Sequence, residues 1–503
     1  MSSDFLLQFL FPPSLSARAS RVLAVVFLLH AALGAALGLS VDEAHYLLYA
    51  AHPALSYFDH PPLVGWVQWP LVALGAPVAV LRVIPGLLWL ATVWGVYRLS
   101  LRLLAGHALA QPAALGAVLA LALAPLLHVL GIGLLPDTLL MALTVALLWQ
   151  TTTLLAPEAL DRPKAWLLMG LLLGLAGLAK YTAVFTALAL GLVLLRAHGL
   201  RLLRKPWLWV ALGLALVVIL PVFVWNAQHQ WASFAYQVAH GQGHHEWLGQ
   251  HVLRFLLLQL LAFGPLLLAA AWARGAGPAR WLWGVFALPF AILTYMAGGG
   301  TSLPHWTAPA WVALAPLAGL GLARAWQSSA RGLVLALGAL QGLACAGLVG
   351  LMLSAGWPLL PGSVAPVAPQ PNPFADLHGW DVAGARAQAL AAQQGLGSVA
   401  VQNWTLASRL GWYARPLPVH VLEDRPTQFR FWAGDLPAGG NTLLVDWSYL
   451  SYDVPLGAHG FASCTLLESQ AAMHWGLPLA SFRFYDCRGW SGQPQANLEP
   501  RTP

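Results

Sequence analysis

The chain is short of charge. Only 9% of its 503 residues are Asp, Glu, Lys or Arg, while 59% are hydrophobic and the mean hydropathy is +0.67. Soluble domains carry about 25% charge, so a polytopic membrane protein is expected. Cysteine is scarce as well: three residues, with no C-x-x-C pair and no cysteine cluster of metal-ligand spacing. The sequence contains neither a P-loop nor a Rossmann glycine fingerprint, which argues against a nucleotide-driven reaction. HExxH is missing too, so a divalent metal has no support from ligand spacing and no cofactor is assigned. The net charge of +7 does not point to nucleic acid, because the basic residues sit in short loops between apolar runs.

Those runs dominate the chain. Eleven are long enough to be read as transmembrane helices, at about 22–39, 71–98, 113–131, 134–154, 165–179, 182–197, 207–224, 252–273, 281–297, 306–323 and 332–355. Runs 165–179 and 182–197 are short, and read equally as pieces of one broken hairpin around Lys180. No small-residue cleavage site ends the first run, so it is expected to be retained. With the N-terminus inside, fourteen Lys and Arg up to residue 355 fall on the inner face; only Arg82, Lys180 and Arg254 do not. This asymmetry predicts a cytoplasmic N-terminus and a periplasmic C-terminal region in a bacterial inner membrane. Residues 1–355 form the expected membrane domain, with outer loops at 40–70 and 226–251. A Pro-, Val- and Ala-rich linker follows at 356–373, and residues 374–503 read as a small extracytoplasmic α/β domain. Strands are expected at Val399–Val401, Thr442–Val445 and Phe482–Tyr485, and a helix at Asp381–Gln394. Cys464 and Cys487 share that domain, so an oxidising compartment permits a bridge. Cys345, in the last run, reads as a packed apolar residue.

Against this apolar background the polar residues stand out. The stretch from Asp42 to Pro62 holds Asp42, Glu43 and Asp59 together with His45, His52 and His60. Pro61 and Pro62 stiffen its exit, and Tyr46, Tyr49, Tyr57 and Trp66 suit a segment lying at the membrane interface. Asp137, in LLPDTLL, is the only acid between His107 and Glu158. Lys180, in LAKYTA, is a cation between two apolar segments, and His305 follows Pro304 at a span start. Each has an ordinary reading. Asp137 could be a helix-start acid, Lys180 a snorkelling cation and His305 an interface residue. Together they suit chemistry: a carboxylate can act as general base, and Lys and His can hold a phosphate. The loop from Trp225 to His251 is rich in aromatics and amides. Asn226 and Gln228 are candidates there for contacting a sugar, as are Tyr46 and Asp59 in the first loop. His244 and His245 beside Glu246 would be the metal candidates, but adjacent histidines do not share a helix face.

The ordered segments DEAHYLLYA, YFDHPPLVGW, LLPDTLL, GLAKYTAVF, WNAQHQWASFAYQ and LPHWTAPAW carry a family resemblance. The chain resembles the bacterial branch of glycosyltransferase family 39, the group of dolichyl-phosphate-mannose protein mannosyltransferases and lipid A aminoarabinose transferases. The likeness covers about residues 20–325 and, more weakly, the NPFADLHGWD stretch. It implies the fold of the C-type membrane glycosyltransferases, an all-α bundle, here with the small α/β domain appended. It also implies a polyprenyl-phosphate sugar (undecaprenyl in bacteria) as donor, with inverting transfer at the outer face to an envelope acceptor: lipid A, a glycan, a lipid or a protein. Carried over by motif, Asp42 is the candidate base, Glu43 its neighbour and Asp137 the second acid. His60, Lys180 and His305 would hold the donor phosphate. Where the aminoarabinose transferases have Glu-Lys-Pro this chain has Asp59-His60-Pro61, so the zinc site of that subgroup does not carry over. A MIR-type domain is also missing, which counts against a protein acceptor. The rival reading is a transporter or flippase of lipid-linked sugars, but no repeat relates the two halves of the chain.

Overall fold

The computed structural model of the chain describes residues 16–242, 246–273, 277–356, 374–450 and 460–494. The expected linker from Pro358, Arg274, and the pair His244-His245 lie outside the described residues. The chain divides into two compact units. One comprises residues 1–35, 54–67 and 76–346; the other comprises residues 36–53, 68–75 and 347–503.

The first unit is a helical membrane bundle. Its helices are α1 (Ala17–Ala36), α3 (Val83–Leu103), α4 (Ala110–Ala122), α5 (Pro125–Ile132), α6 (Pro136–Leu154), α7 (Pro163–Ala179), α8 (Ala183–His198), α9 (Pro206–Gln228), α10 (Ala232–Gln242), α11 (Gly249–Phe263), α12 (Leu282–Gly298), α13 (Ala308–Trp326) and the start of α14 (Arg331–Leu353); α2 belongs to the other unit. Proline stands in the first turn of α5, α6, α7, α9 and α13, where its missing N–H costs nothing. Among the described residues, six helices are long and apolar enough to cross a membrane, or up to eight if each bent pair is one span. The chain is thus a multi-pass membrane protein. The apolar helices α7 and α12 have 17 residues each and fall below that length.

Several expected spans prove to be broken. Run 71–98 is not continuous: short helices at Trp69–Ala73 and Val78–Leu81 precede α3, because Gly75 takes φ 69° and Pro77 follows it. The pair α4 and α5 bends by 72°. A bend of 96° separates α11 from the 3₁₀ turn Pro265–Trp272, at Gly264 with φ 76°. The centre of the bundle is α13, buried along almost its whole length. It crosses α4 at glycine: a Cβ on Gly319 would lie 2.0 Å from the Ala113 carbonyl oxygen, and one on Gly116 3.0 Å from that of Gly319. Small residues of this kind let membrane helices approach to backbone contact.

The second unit combines α2 (Val41–Ala51) with the C-terminal region. The region contains α15 (Trp380–Gln394), β1 (Val399–Val401), α16 (Trp404–Tyr413), β2 (Val419–Val421), α17 (Gln428–Trp432), β3 (Thr442–Trp447), β4 (Phe461–His474) and β5 (Leu477–Trp490). The five-stranded sheet has order β2-β1-β3-β5-β4. β1 runs parallel to β2 and β3, while β5 is antiparallel to β3 and β4. Ala400, Leu422, Leu436, Leu444, Phe461 and Trp490 form a core on the sheet. Cys464 and Cys487 face each other in the β4–β5 register and are bridged. Helix α2 packs on α16: His45 Nδ1 lies 3.1 Å from Ser408 Oγ, and the Leu39 N–H donates to the Tyr413 hydroxyl at 3.3 Å.

Candidate functional site

In the bundle, Asp137 and Lys180 come together. Pro136 starts α6 and puts Asp137 in its first turn, where the helix dipole favours an anion. Lys180 stands just past the end of α7 in extended backbone (φ −160°, ψ 142°), and the chain then turns into α8. Its Nζ lies 2.8 Å from Asp137 Oδ1 and 2.6 Å from Oδ2. Both residues are almost fully buried, Asp137 at 1% and Lys180 at 4% exposure. The third expected member is also present: His305 Nε2 lies 3.7 Å from Asp137 Oδ2, too far for a hydrogen bond but close enough for charge to be felt. Trp306 turns its ring toward the ammonium, with Nζ 5.1 Å from the centroid.

The turn carrying His305 and Trp306 is held by Gln259 of α11, which the sequence reading passed over. Its Oε1 accepts from Thr307 Oγ1 at 2.5 Å and from Trp311 Nε1 at 2.9 Å, while its Nε2 donates to the Pro304 carbonyl at 3.3 Å. One amide thus pins the Pro304–Thr307 turn at two points and ties it to Trp311 of α13. A lone Gln in LRFLLLQLLAF was a readable signal, since a polar residue in an apolar helix needs a partner.

Asp59 and His60 lie on the same unit. His60 Nδ1 is 3.4 Å from Asp59 Oδ2, and the Asp59 carbonyl accepts from Gln237 Nε2 of α10 at 2.7 Å. An aromatic file links this loop to the cluster: Phe58 packs on Tyr236 at 4.7 Å, Tyr236 stacks with His240 at 5.6 Å, and His240 lies 5.8 Å from Trp306. Tyr181, next to Lys180, hydrogen-bonds Ser233 at 2.7 Å. Asn226 is fully buried and serves its own backbone: Nδ2 donates to the Val222 carbonyl and Oδ1 accepts the Phe234 N–H. These contacts bind the α9–α10 corner together. Gln228, at the end of α9, is exposed.

Asp42, Glu43 and Tyr46 lie on α2 in the other unit. Ser40 caps this helix in a capping box: its Oγ accepts from the Glu43 N–H at 3.4 Å, and Glu43 Oε2 accepts from the Ser40 N–H at 3.1 Å. Glu43 is buried and engaged in the cap, whereas its neighbour Asp42 is half-buried. Tyr46 is buried against His45 and Tyr49. On α16, Arg409 is buried with its guanidinium 3.9 Å from the Trp380 ring centroid and paired with Asp376. Burial pushes the Arg409 pKa down, and the negative charges of Asp376 and Asp42 oppose that shift. Among the described residues no group of three or more His, Cys, Asp or Glu side chains could hold a metal ion.

A family model described as dolichyl-phosphate-mannose-protein mannosyltransferase matches residues 59–225. The structure is similar to that of ArnT from Cupriavidus metallidurans in the apo state: TM-score 0.61, 16% identity, covering 93% of this chain and 97% of that chain. It is similar as well to the structure of the same protein bound to undecaprenyl phosphate, with TM-score 0.63, 17% identity and 100% of both chains covered. No match is found among curated proteins. The family match agrees with the resemblance drawn from the sequence motifs over residues 59–225, and the fold is that of the ArnT structures, a helical membrane bundle with a small C-terminal sheet domain.

Proposed function

We propose that the protein is an integral membrane glycosyltransferase that takes a sugar from a polyprenyl-phosphate carrier and gives it to a cell-envelope acceptor at the outer face of the inner membrane. The observation that carries this reading is the buried Asp137–Lys180 pair with His305 beside it, in a fold shared with a protein whose structure was determined with undecaprenyl phosphate. A buried ion pair in an apolar bundle is weak as a stabilising device and suits a site that receives a charged group.

In this reading Asp137 orients the ammonium and keeps it charged inside the bundle. Lys180 donates to the carrier phosphate, with His305 and His60 as further donors. The acceptor hydroxyl attacks the anomeric carbon as the bond from that carbon to the phosphate oxygen breaks. The bonding electrons leave with the phosphate, whose growing negative charge Lys180 stabilises. The hydroxyl proton passes to a carboxylate base, and one displacement inverts the anomeric configuration. Of the two acids on α2, Asp42 suits the role of base because Glu43 is engaged in the helix cap. Asp59 is a candidate for orienting the sugar.

The test is transfer by the purified protein in nanodiscs, using a synthetic polyprenyl-phosphate sugar and an envelope lipid or glycan acceptor. Mass spectrometry should show a glycosylated acceptor and free polyprenyl phosphate, with both lost in Asp42→Asn. Movement of the donor between leaflets without a glycosidic product would establish a transporter instead.

A further inference from the structure

The β4–β5 hairpin distributes its charges unevenly. From its middle to its base, Glu468 pairs with Arg386 at 2.5 Å, Arg483 pairs with Asp446, and Arg488 pairs with Asp486 at 2.6 Å. Toward the tip the charges stop: between Glu468 and Arg483 the sequence reads SQAAMHWGLPLASF. This uncharged end leaves Met473 55% and Trp475 65% exposed. In a water-soluble domain such a tip would be an unexplained apolar protrusion.

Its position supplies the explanation. His474 Nε2 donates to the Leu353 carbonyl at 2.7 Å, and His378 Nε2 donates to the Met352 carbonyl at 3.2 Å, with the two imidazoles 4.0 Å apart. Leu353 is the last residue of α14, a 23-residue helix long and apolar enough to span a bilayer. The last carbonyls of a helix lack intrahelical donors, and here two histidines supply them. A spanning helix ends where hydrocarbon gives way to headgroups, so the contact with Leu353 places the hairpin tip at that level. Trp475 stacks on the His474 ring at 4.8 Å, which holds the indole beside the helix end.

We propose that the β4–β5 tip is a membrane anchor, with Met473 and Trp475 seated in the headgroup layer of the leaflet where α14 ends. The partner is the lipid surface. Tryptophan favours this depth because its ring is apolar and its N–H polar. Interfacial depth also leaves the turn's backbone groups within reach of water, as an unpaired turn in hydrocarbon would not.

The experiment uses the full chain in phospholipid nanodiscs, in a Cys345→Ala background with the disulfide intact. An environment-sensitive fluorophore is attached at Trp475→Cys, at Met473→Cys as a second reporter of the tip, and at Ala462→Cys near the hairpin base. A nitroxide carried on the lipid near the headgroup should quench the two tip labels severalfold more than the label at 462, while aqueous iodide should show the reverse order. Tip labels quenched by iodide as readily as the label at 462 would place the tip in water and overturn the proposal. So would tip labels shielded from both quenchers, which would mean that a protein covers them.

Discussion

Lys180 and Asp137, 43 positions apart in sequence, meet with the ammonium bridging both carboxylate oxygens inside a lipid-facing bundle. Removing one partner leaves the other charge buried without its counterion, which typically costs about 3–5 kcal/mol. Lys180→Met should therefore lower the thermal midpoint in detergent, and Lys180→Met with Asp137→Leu should recover much of it. Activity should not follow: the double variant stays inactive if Lys180 also binds phosphate. A double variant that regains turnover would reduce the pair to a structural role.

Neighbouring acids on α2 should separate cleanly. Asp42→Asn keeps shape and hydrogen bonding but removes a proton acceptor, so kcat is expected to fall by about 10²–10⁴-fold with donor binding little changed. Glu43→Ala should instead lower the melting temperature, by an amount that corresponds to about 1 kcal/mol for a lost helix cap, with kcat largely kept. Steady-state kinetics and melting curves on the two variants check both halves.

His378 gives the second unit a pH dependence. Burial, reinforced by His474, lowers its pKa from 6.5, while the hydrogen bond to Met352 and the charge of Asp381 pull the other way. The folded state therefore favours the neutral ring. Its contribution to stability is full above pH 6.5 and is lost as pH falls through that value toward the lowered folded pKa. His378→Asn keeps a donor but cannot take up a proton. A melting temperature that declines below pH 6.5 in the wild type should decline less steeply in this variant.

Cys464 and Cys487 should resist thiol labelling until a reductant is added. Replacing both by serine should cost about 2–4 kcal/mol of the second unit's stability, read from proteolysis of that unit in the intact chain. Free labelling of both thiols without reductant would exclude the bridge in the native protein.

Orientation is a separate expectation. A reporter active only in the cytoplasm, fused after Pro503, should be silent, and the same reporter at the N-terminus should be active. The reverse pattern would invert the outer-face assignment of the site.

Much of the site could be read because a charge in an apolar run has few cheap explanations. Asp137, Lys180 and His305 each stood out by isolation, and the structure joins them. Their pairing could not be read, since it depends on how α6, α7 and the Pro304–Thr307 turn pack. Two further signals are local: Ser40-x-x-Glu43 is a capping pattern, and Gly75-Ala76-Pro77 breaks the apolar run 71–98. In the second unit, the strands expected at 442–445 and 482–485 mark only parts of β3 and β5, whose ladder runs from Thr442–Cys487 to Trp447–Phe482. The exposed strand β4 lacks a continuous apolar run, and β2 has only three residues, so neither stood out. The grouping of α2 with residues near 410 is non-local and leaves no trace in either stretch alone.

That grouping sets a timetable. His45 meets Ser408, which the ribosome reaches 363 residues later. At about 5–20 residues per second, α2 waits roughly 20–70 s for the helix it packs against. Meanwhile its buried face, with Ala44, Leu47, Leu48 and Ala50, has no α16 to cover it. Chain folding therefore cannot finish from the N-terminus forward: the segment that carries Asp42 is among the first made and among the last to find its place. A truncated chain ending before Trp404 would leave that acid on a helix without its α16 packing partner, so proteolytic quality control would be expected to act on the first outer loop long before it reached the missing end.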